Sequence, residues 1–126
     1  QIFGTGYPAT WRGEYFANRW LTGAPGLIQQ LSALDFDWGM GAPGYGMPVD
    51  NFSARWQRYV WFDNGTYRFA VSVDDGVRLW VDDDLLIESW QDPQVADLSA
   101  TTHLAAGYHR VLAEYYERYG GARFRL

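Results

Sequence analysis

Cysteine is absent from this 126-residue chain, which excludes disulfides, zinc–thiolate centres and thiol catalysis. Long apolar runs are also missing, since no stretch approaches the roughly 20 apolar residues of a membrane-spanning helix. We therefore predict no membrane insertion. Basic residues are few, with 10 Lys and Arg against 15 Asp and Glu and a formal net charge of −5. A phosphate backbone repels such a chain, and no basic cluster offsets the repulsion, so we expect no nucleic-acid binding.

The side chains of common catalytic centres are scarce as well. Histidine occurs only at His103 and His109, which are too few and too far apart for a zinc site. No Gly-x-Ser-x-Gly nucleophile elbow and no Ser/His/Asp arrangement is recognisable. Paired carboxylates could hydrolyse glycosides, but a chain of short strands rarely builds the deep cleft which that reaction needs. We therefore expect a protein that is not an enzyme.

Strand patterns dominate what the chain does contain. Residues 66–73 alternate cleanly, with Tyr67, Phe69, Val71 and Val73 on one face. The other predicted strands are residues 11–18, 55–62, 77–81, 85–90, 110–116 and 123–126. The 14 Gly and 5 Pro indicate many turns between them. Short strands separated by frequent turns predict an all-β fold, either a sandwich or a barrel.

Two stretches depart from this pattern. Residues 34–49 are rich in Gly and Pro and predict a long irregular loop. Residues 27–34 are the one candidate for a short helix. We find no linker or repeat and treat residues 1–126 as a single domain. Because the chain opens on Gln1 without a signal-peptide pattern, we expect a module of a longer protein.

Two adjacent carboxylates, Asp74 and Asp75, stand before Gly76 at the end of a predicted strand. Their charges repel, and Asp has poor strand propensity. A bound calcium ion would account for them, because calcium requires several converging carboxylate and carbonyl oxygens. An ordinary hairpin turn also accounts for them, and the residues alone favour it, since Asp-Gly is a strong turn signal. Residues 82–84, three further Asp, are interpreted as a solvated turn.

Seven stretches of the chain match a known pattern in order and spacing. They are WRGEYFAN (residues 11–18), FDWG (36–39), PVDNFSARW (48–56), GTYRF (65–69), DDGVRLWVD (74–82), AGYH (106–109) and EYYE (114–117). Together they resemble the protective-antigen-type module, which is named for anthrax protective antigen. Yeast flocculins, bacterial adhesins and some glycosidases share this module. The resemblance covers nearly the whole chain.

The resemblance implies an antiparallel β-sandwich with a carbohydrate-binding pocket at one end. In adhesins of this family, two consecutive Asp joined by a cis peptide bond hold a calcium ion that ligates sugar hydroxyls. Asp74 and Asp75 match that pair. A loop after a late strand supplies the remaining ligands, which by the same resemblance are Glu117 and the carbonyls of Tyr119 and Gly121. Flocculins carry Asn where this chain has Glu117.

Aromatic side chains on loops are the candidates for stacking on a sugar ring. Trp90 stands beside Asp92, and Tyr119 stands beside Arg118, so the loops around these residues would select the saccharide. The alternative for each ring is ordinary packing, as we expect for the strand-borne aromatics.

We therefore expect a non-catalytic, calcium-dependent carbohydrate-binding module of the lectin or adhesin type. It would act as a monomeric unit of a larger bacterial protein, outside the cell or on its surface. The alternative is a structural or protein-interaction sandwich without a sugar site, because a fold alone does not define a function.

Overall fold

The computed structural model describes residues 10–39, 44, 47–48, 51–90, 96–117 and 122–125. These residues form strands and no helix, which confirms the all-β prediction. In chain order the strands are β1 (Trp11–Phe16), β2 (Leu27–Leu31), β3 (Asp35–Gly39), β4 (Phe52–Phe62), β5 (Gly65–Asp74), β6 (Gly76–Val81), β7 (Asp84–Ser89), β8 (Ala96–Leu104), β9 (Gly107–Glu117) and β10 (Ala122–Arg125). The described part of the chain therefore offers no helix that could cross a membrane.

The strands form two antiparallel sheets. The larger sheet has the order β2-β1-β4-β9-β6-β7, and the smaller has the order β3-β10-β5-β8. The core lies between them. Tyr15, Trp56 and Tyr115 of the larger sheet are buried in one cluster with Val71 and Val73 of the smaller sheet. Two sheets that share one core make a β-sandwich, as the family resemblance implied.

Strand alternation explains how this core forms. In β4, Phe52, Ala54 and Trp56 are fully buried, whereas Tyr59 and Trp61 point to solvent on the other face. Trp56 Nε1 donates a hydrogen bond to the Tyr15 hydroxyl at 3.1 Å. Burial raises the pKa of the Tyr15 phenol, and the hydrogen bond from Trp56 opposes that rise.

The helix considered for residues 27–34 is wrong, because Leu27–Leu31 form strand β2. This segment pairs with β1 from Trp11–Leu31 to Tyr15–Leu27, and its exposure alternates with the strand period of two. The sequence of this segment is too short to distinguish helix from strand, and its pairing with β1 makes it a strand. Strand β3 lies within the predicted loop of residues 34–49, most of whose remaining positions are outside the described residues.

The turn predicted at residues 82–84 lies between β6 and β7. Asp82 and Asp83 both have positive φ, 51° and 68°, which Asp tolerates better than most residues. The Asp82 carboxylate accepts a hydrogen bond from Arg110 N at 3.0 Å and also contacts His109 Nδ1. Asp83 pairs with Arg110 Nη1 at 3.2 Å. This turn is therefore bound to β9 by its own carboxylates.

Candidate functional site

The ends of four neighbouring strands meet at one end of the larger sheet. Phe16 of β1 lies opposite Ser53 of β4, Ser53 lies opposite Tyr116 of β9, and Tyr116 lies opposite Gly76 of β6. The Asp74–Asp75 corner directly precedes Gly76, and Asp75 N donates to the Tyr116 carbonyl at 3.2 Å. The register thus places the acidic corner beside the end of β9.

Two carboxylates at this end are buried. Asp75 is 2% exposed and Glu117, which follows Tyr116, is 0% exposed. Removing a carboxylate from water costs several kcal/mol unless charge partners, hydrogen bonds or a metal ion compensate. These are two of the side chains assigned to calcium from the sequence, and their oxygen donors are of the type that calcium prefers.

Only two of the predicted calcium ligands, Asp75 and Glu117, have described side chains. Within the described residues no group of three or more His, Cys, Asp or Glu side chains is placed to hold a metal ion. Asp74 is described only in its backbone, as the last residue of β5. Tyr119 and Gly121 lie outside the described residues. Asp75 and Glu117 fit a hard cation in donor type, and the remaining ligands would come from positions that the structure does not describe.

A pocket opens beside this corner, with a volume of about 200 Å³. Arg19, Trp20, Trp90 and Tyr116 line it. Trp20 is 62% exposed, and the rings of Trp90 and Tyr116 lie 4.7 Å apart at an angle of 56°. Two indoles and a phenol therefore surround a space large enough for a small molecule, with an arginine at its edge.

The loop that carries Trp20 is held in place by Asn18 and Ser53. The Asn18 Oδ1 atom accepts hydrogen bonds from Trp20 N at 3.0 Å and Thr22 N at 3.2 Å. The buried Ser53 hydroxyl donates to the Asn18 carbonyl at 2.6 Å and accepts from Leu21 N at 3.1 Å. Leu21 has a φ of 58°, a conformation that apolar residues rarely adopt. The loop is therefore a fixed structure that presents Trp20 to the pocket.

The structure brings together some of the residues predicted from the sequence. Asp75 donates its backbone N–H to Tyr116, the residue before Glu117, both carboxylates are buried, and Trp90 lines the adjacent pocket. The predicted ligand-binding residues Asp92 and Arg118 lie outside the described residues, as do Tyr119 and Gly121.

Three pocket residues were not predicted: Arg19, Trp20 and Tyr116. Tyr116 was interpreted only as a strand residue, although in the alternation of β9 it faces outward. Trp20 carries one usable signal, because a tryptophan two residues after Asn18 and two before Thr22 stands in a side-chain-capped turn.

The two sheets place the chain among β-sandwich modules, and comparison with known proteins gives the family. The PA14 domain model matches residues 7–124, so the chain belongs to the PA14 domain family.

One relative is the anti-sigma-I factor RsgI3 of Acetivibrio thermocellus, which is 36% identical over 121 residues. The match covers 91% of this chain and 18% of that protein, so the chain spans less than a fifth of its relative. A solved anti-sigma factor domain-containing protein is 34% identical with a TM-score of 0.85, over 90% of this chain and 40% of the other. The PA14 sugar-binding domain from an RTX adhesin shares the fold, with a TM-score of 0.71, 16% identity, and coverage of 91% and 86%.

Proposed function

We propose that this chain is a non-catalytic carbohydrate-binding module whose ligand lies at the end of the sandwich where β4, β6 and β9 meet. One observation carries the proposal: a pocket lined by Trp20, Trp90 and Tyr116 adjoins a corner with the buried carboxylates of Asp75 and Glu117. Flat aromatic faces pack against the C–H face of a pyranose, and fixed polar groups select its hydroxyls.

The exposure of Trp20 supports this function. Leaving an indole 62% exposed forgoes much of the stabilisation that its burial would provide, about 1.5–3 kcal/mol for a large apolar side chain. The hydrogen bonds of Asn18 and Ser53 nevertheless hold the loop in a conformation that keeps Trp20 at the surface. A binding role for the ring accounts for both features. Affinity for a single sugar should be weak, on the order of tens of micromolar to millimolar, because few atoms are buried.

Calcium is the cofactor that we propose for the corner. Asp74, Asp75 and Glu117 would provide carboxylate oxygens, and Tyr119 and Gly121 would provide carbonyl oxygens. Calcium takes about 6–8 oxygens, so such a set leaves positions for sugar hydroxyls. Calcium would also compensate the burial of Asp75 and Glu117, because a bound cation is the largest charge in its site.

The anti-sigma factor relatives suggest where such a module works. Because the chain spans less than a fifth of RsgI3, we propose that it is the ligand-recognising part of a longer bacterial protein. It would face the outside of the cell, where polysaccharides occur, and would bind as a monomeric unit. Several modules in one parent protein would raise the effective affinity through multivalency.

A glycan array tests this proposal directly. The wild-type domain should bind a subset of glycans with 1 mM Ca²⁺ and lose binding with excess chelator. Trp20→Ala and Trp90→Ala should each lower the signal by about fivefold, because one aromatic contact is worth on the order of 1 kcal/mol. Trp61→Ala, at an exposed tryptophan far along β4, is the matched control and should leave the signal unchanged. Equal binding by Trp20→Ala, Trp90→Ala and wild type would contradict the proposal.

A second candidate function is protein interaction, and one surface favours it. Tyr59, Trp61 and Tyr108 are 41%, 56% and 44% exposed on the outer face of β4 and β9. The rings of Trp61 and Tyr108 lie 5.3 Å apart. Tyr108 precedes the pocket residue Tyr116 by eight positions in β9, so it lies roughly 26 Å from Tyr116 along the strand. Exposed aromatic patches often mark interfaces. Two results together would favour this function. The glycan array would show no binding with or without calcium, and Trp61→Ser would abolish contacts between this domain and the rest of the parent protein.

A further inference from the structure

We propose that Arg78 is a positioning residue that holds the Trp90 ring in the orientation in which it lines the pocket. This inference rests on the proposed saccharide site, in which Trp90 contacts the ligand. Arg78 itself does not line the pocket, so it would act on the ligand only through Trp90.

The contacts of the Trp90 ring carry the argument. The Arg78 guanidinium carbon lies 3.8 Å from the centroid of the Trp90 ring, close stacking for a cation–aromatic pair. The Tyr116 ring lies against Trp90 with centroids 4.7 Å apart. Trp90 directly follows β7, so its backbone is leaving the sheet at this point. Arg78 and Tyr116, both on strands of the sheet, therefore fix a side chain that begins a connecting segment.

Arg78 is in turn held by a buried acid. Its Nη2 atom pairs with Glu114 Oε1 at 3.1 Å, and Glu114 is only 7% exposed. The other carboxylate oxygen of Glu114 accepts from Arg55 Nη2 at 2.9 Å and from Arg55 Nε at 3.0 Å. Because Glu114 is shared by two arginines, it cannot follow a movement of Arg78 without breaking its contacts to Arg55.

This pairing belongs to a row of alternating charge across four strands. Glu14 of β1, Arg55 of β4, Glu114 of β9 and Arg78 of β6 lie opposite one another in register. Arg55 Nη1 reaches Glu14 Oε1 at 3.9 Å, which completes the row. Glu88 of β7 lies opposite Arg78 on its other side, and Arg78 carries the stacked Trp90 ring. The paired strands therefore provide a rigid base for that ring. A preordered ring does not lose rotamer freedom when a ligand binds, and this raises affinity.

Substitution of Arg78 separates positioning from general stability. Arg78→Met removes the cation and should raise the Kd for sugar roughly two- to tenfold, the range that follows from ordering one side chain on binding. Arg78→Lys keeps the charge near Glu114 but loses the planar stack, so it should also weaken binding. Arg12→Met is the matched control, because Arg12 is an exposed arginine of the same sheet that pairs with Glu14 at 3.5 Å. It should leave the Kd unchanged.

A double-mutant cycle tests whether Arg78 acts through Trp90. Titration calorimetry with Ca²⁺ present would use the tightest binder among galactose, glucose, mannose and fucose. In a Trp90→Ala background, Arg78→Met should cause no further loss of affinity, because the ring that it positions is gone. If Arg78→Met lowers affinity equally in both backgrounds, Arg78 acts independently of Trp90 and the inference is overturned.

A measurement without sugar keeps this inference separable from the proposed function. With 5-fluorotryptophan incorporated, the Trp90 resonance is assigned by its loss in Trp90→Phe. Arg78→Met should shift and broaden that resonance, whereas Arg12→Met should not. An unchanged Trp90 resonance in Arg78→Met overturns the inference. If wild type binds no sugar but the resonance responds as expected, the proposed function fails and the positioning role of Arg78 stands.

Discussion

Gly76 lies directly against the ring of Tyr116. A β-carbon added at Gly76 would stand 2.0 Å from one ring carbon and 2.5 Å from another, far inside van der Waals contact. Tyr116 lines the pocket, and Gly76 directly follows the Asp74–Asp75 pair. The glycine of the Asp-Asp-Gly motif is therefore required by the close approach of the Tyr116 ring, not by its backbone angle, since its φ is not positive.

Substitution at Gly76 should disturb the corner and the pocket together. We expect Gly76→Ala to lower the free energy of unfolding by about 1–3 kcal/mol, as overpacking in a close-packed interior usually does. It should also weaken sugar binding, because Tyr116 must move. Urea denaturation and calorimetry would measure the two effects. Gly65→Ala is the control, since its β-carbon would meet other atoms no closer than 3.8 Å. Equal stability of the two variants would contradict the close approach.

Loss of the Ser53 hydroxyl should release the loop that carries Trp20. Ser53→Ala leaves the Asn18 carbonyl and Leu21 N without their partner, so we expect a loss of about 1–3 kcal/mol in unfolding free energy. Because this hydrogen bond holds Leu21 N while Leu21 has a positive φ, the loop should relax, and the 5-fluorotryptophan resonance of Trp20 should shift. Ser99→Ala, at an exposed serine of β8, serves as the control. An unaltered Trp20 resonance in Ser53→Ala would show that the loop keeps its conformation without the Ser53 hydrogen bonds.

The contact between His109 and Asp82 should make stability depend on pH. The hydrogen bond to the Asp82 carboxylate raises the pKa of His109 above its ordinary value of 6.5, and a bond to the Ala105 carbonyl adds to that rise. The contact therefore stabilises the fold fully below pH 6.5, and its contribution disappears as the pH rises through the folded pKa. Asp82→Asn should lower the His109 pKa and reduce the change in Tm over that window. NMR titration of His109 in wild type and in Asp82→Asn measures the first effect.

The sequence predicts strands best where one face is fully buried. The alternation of Val71 and Val73 in β5 reflects a face that packs on the core, so it is legible without a structure. Strand β8 was not predicted, because it lies at a sheet edge and alternates exposed polar residues with half-buried ones such as Leu98. The five residues of β2 are too few to distinguish a strand from a helix in the sequence, and the pairing with β1 makes them a strand.

Some residues of the candidate site can be predicted from their neighbours in the sequence, whereas others depend on contacts between distant strands. Asp75 and Trp90 stand in recognisable local contexts, an acidic turn and a loop aromatic, and could be proposed from neighbouring residues. The position of Trp20 at the pocket depends on a hydrogen bond between Asn18 and Ser53, which are 35 positions apart in the chain. The role of Arg78 depends on a charge row whose members come from four strands. Contacts of this kind exist only once the strands have paired, so sequence patterns do not reveal them.

Calcium-linked stability tests the central claim most directly. At a Ca²⁺ concentration about 100 times its Kd, binding to the folded state alone adds about 2.7 kcal/mol, which should raise Tm by roughly 8–15 °C for a domain of this size. Asp75→Asn should abolish the rise, whereas Asp84→Asn, at the exposed first residue of β7, should keep it. The account predicts a large rise in wild type and Asp84→Asn and none in Asp75→Asn. A wild-type Tm that is the same in 10 mM Ca²⁺ and in chelator would contradict it.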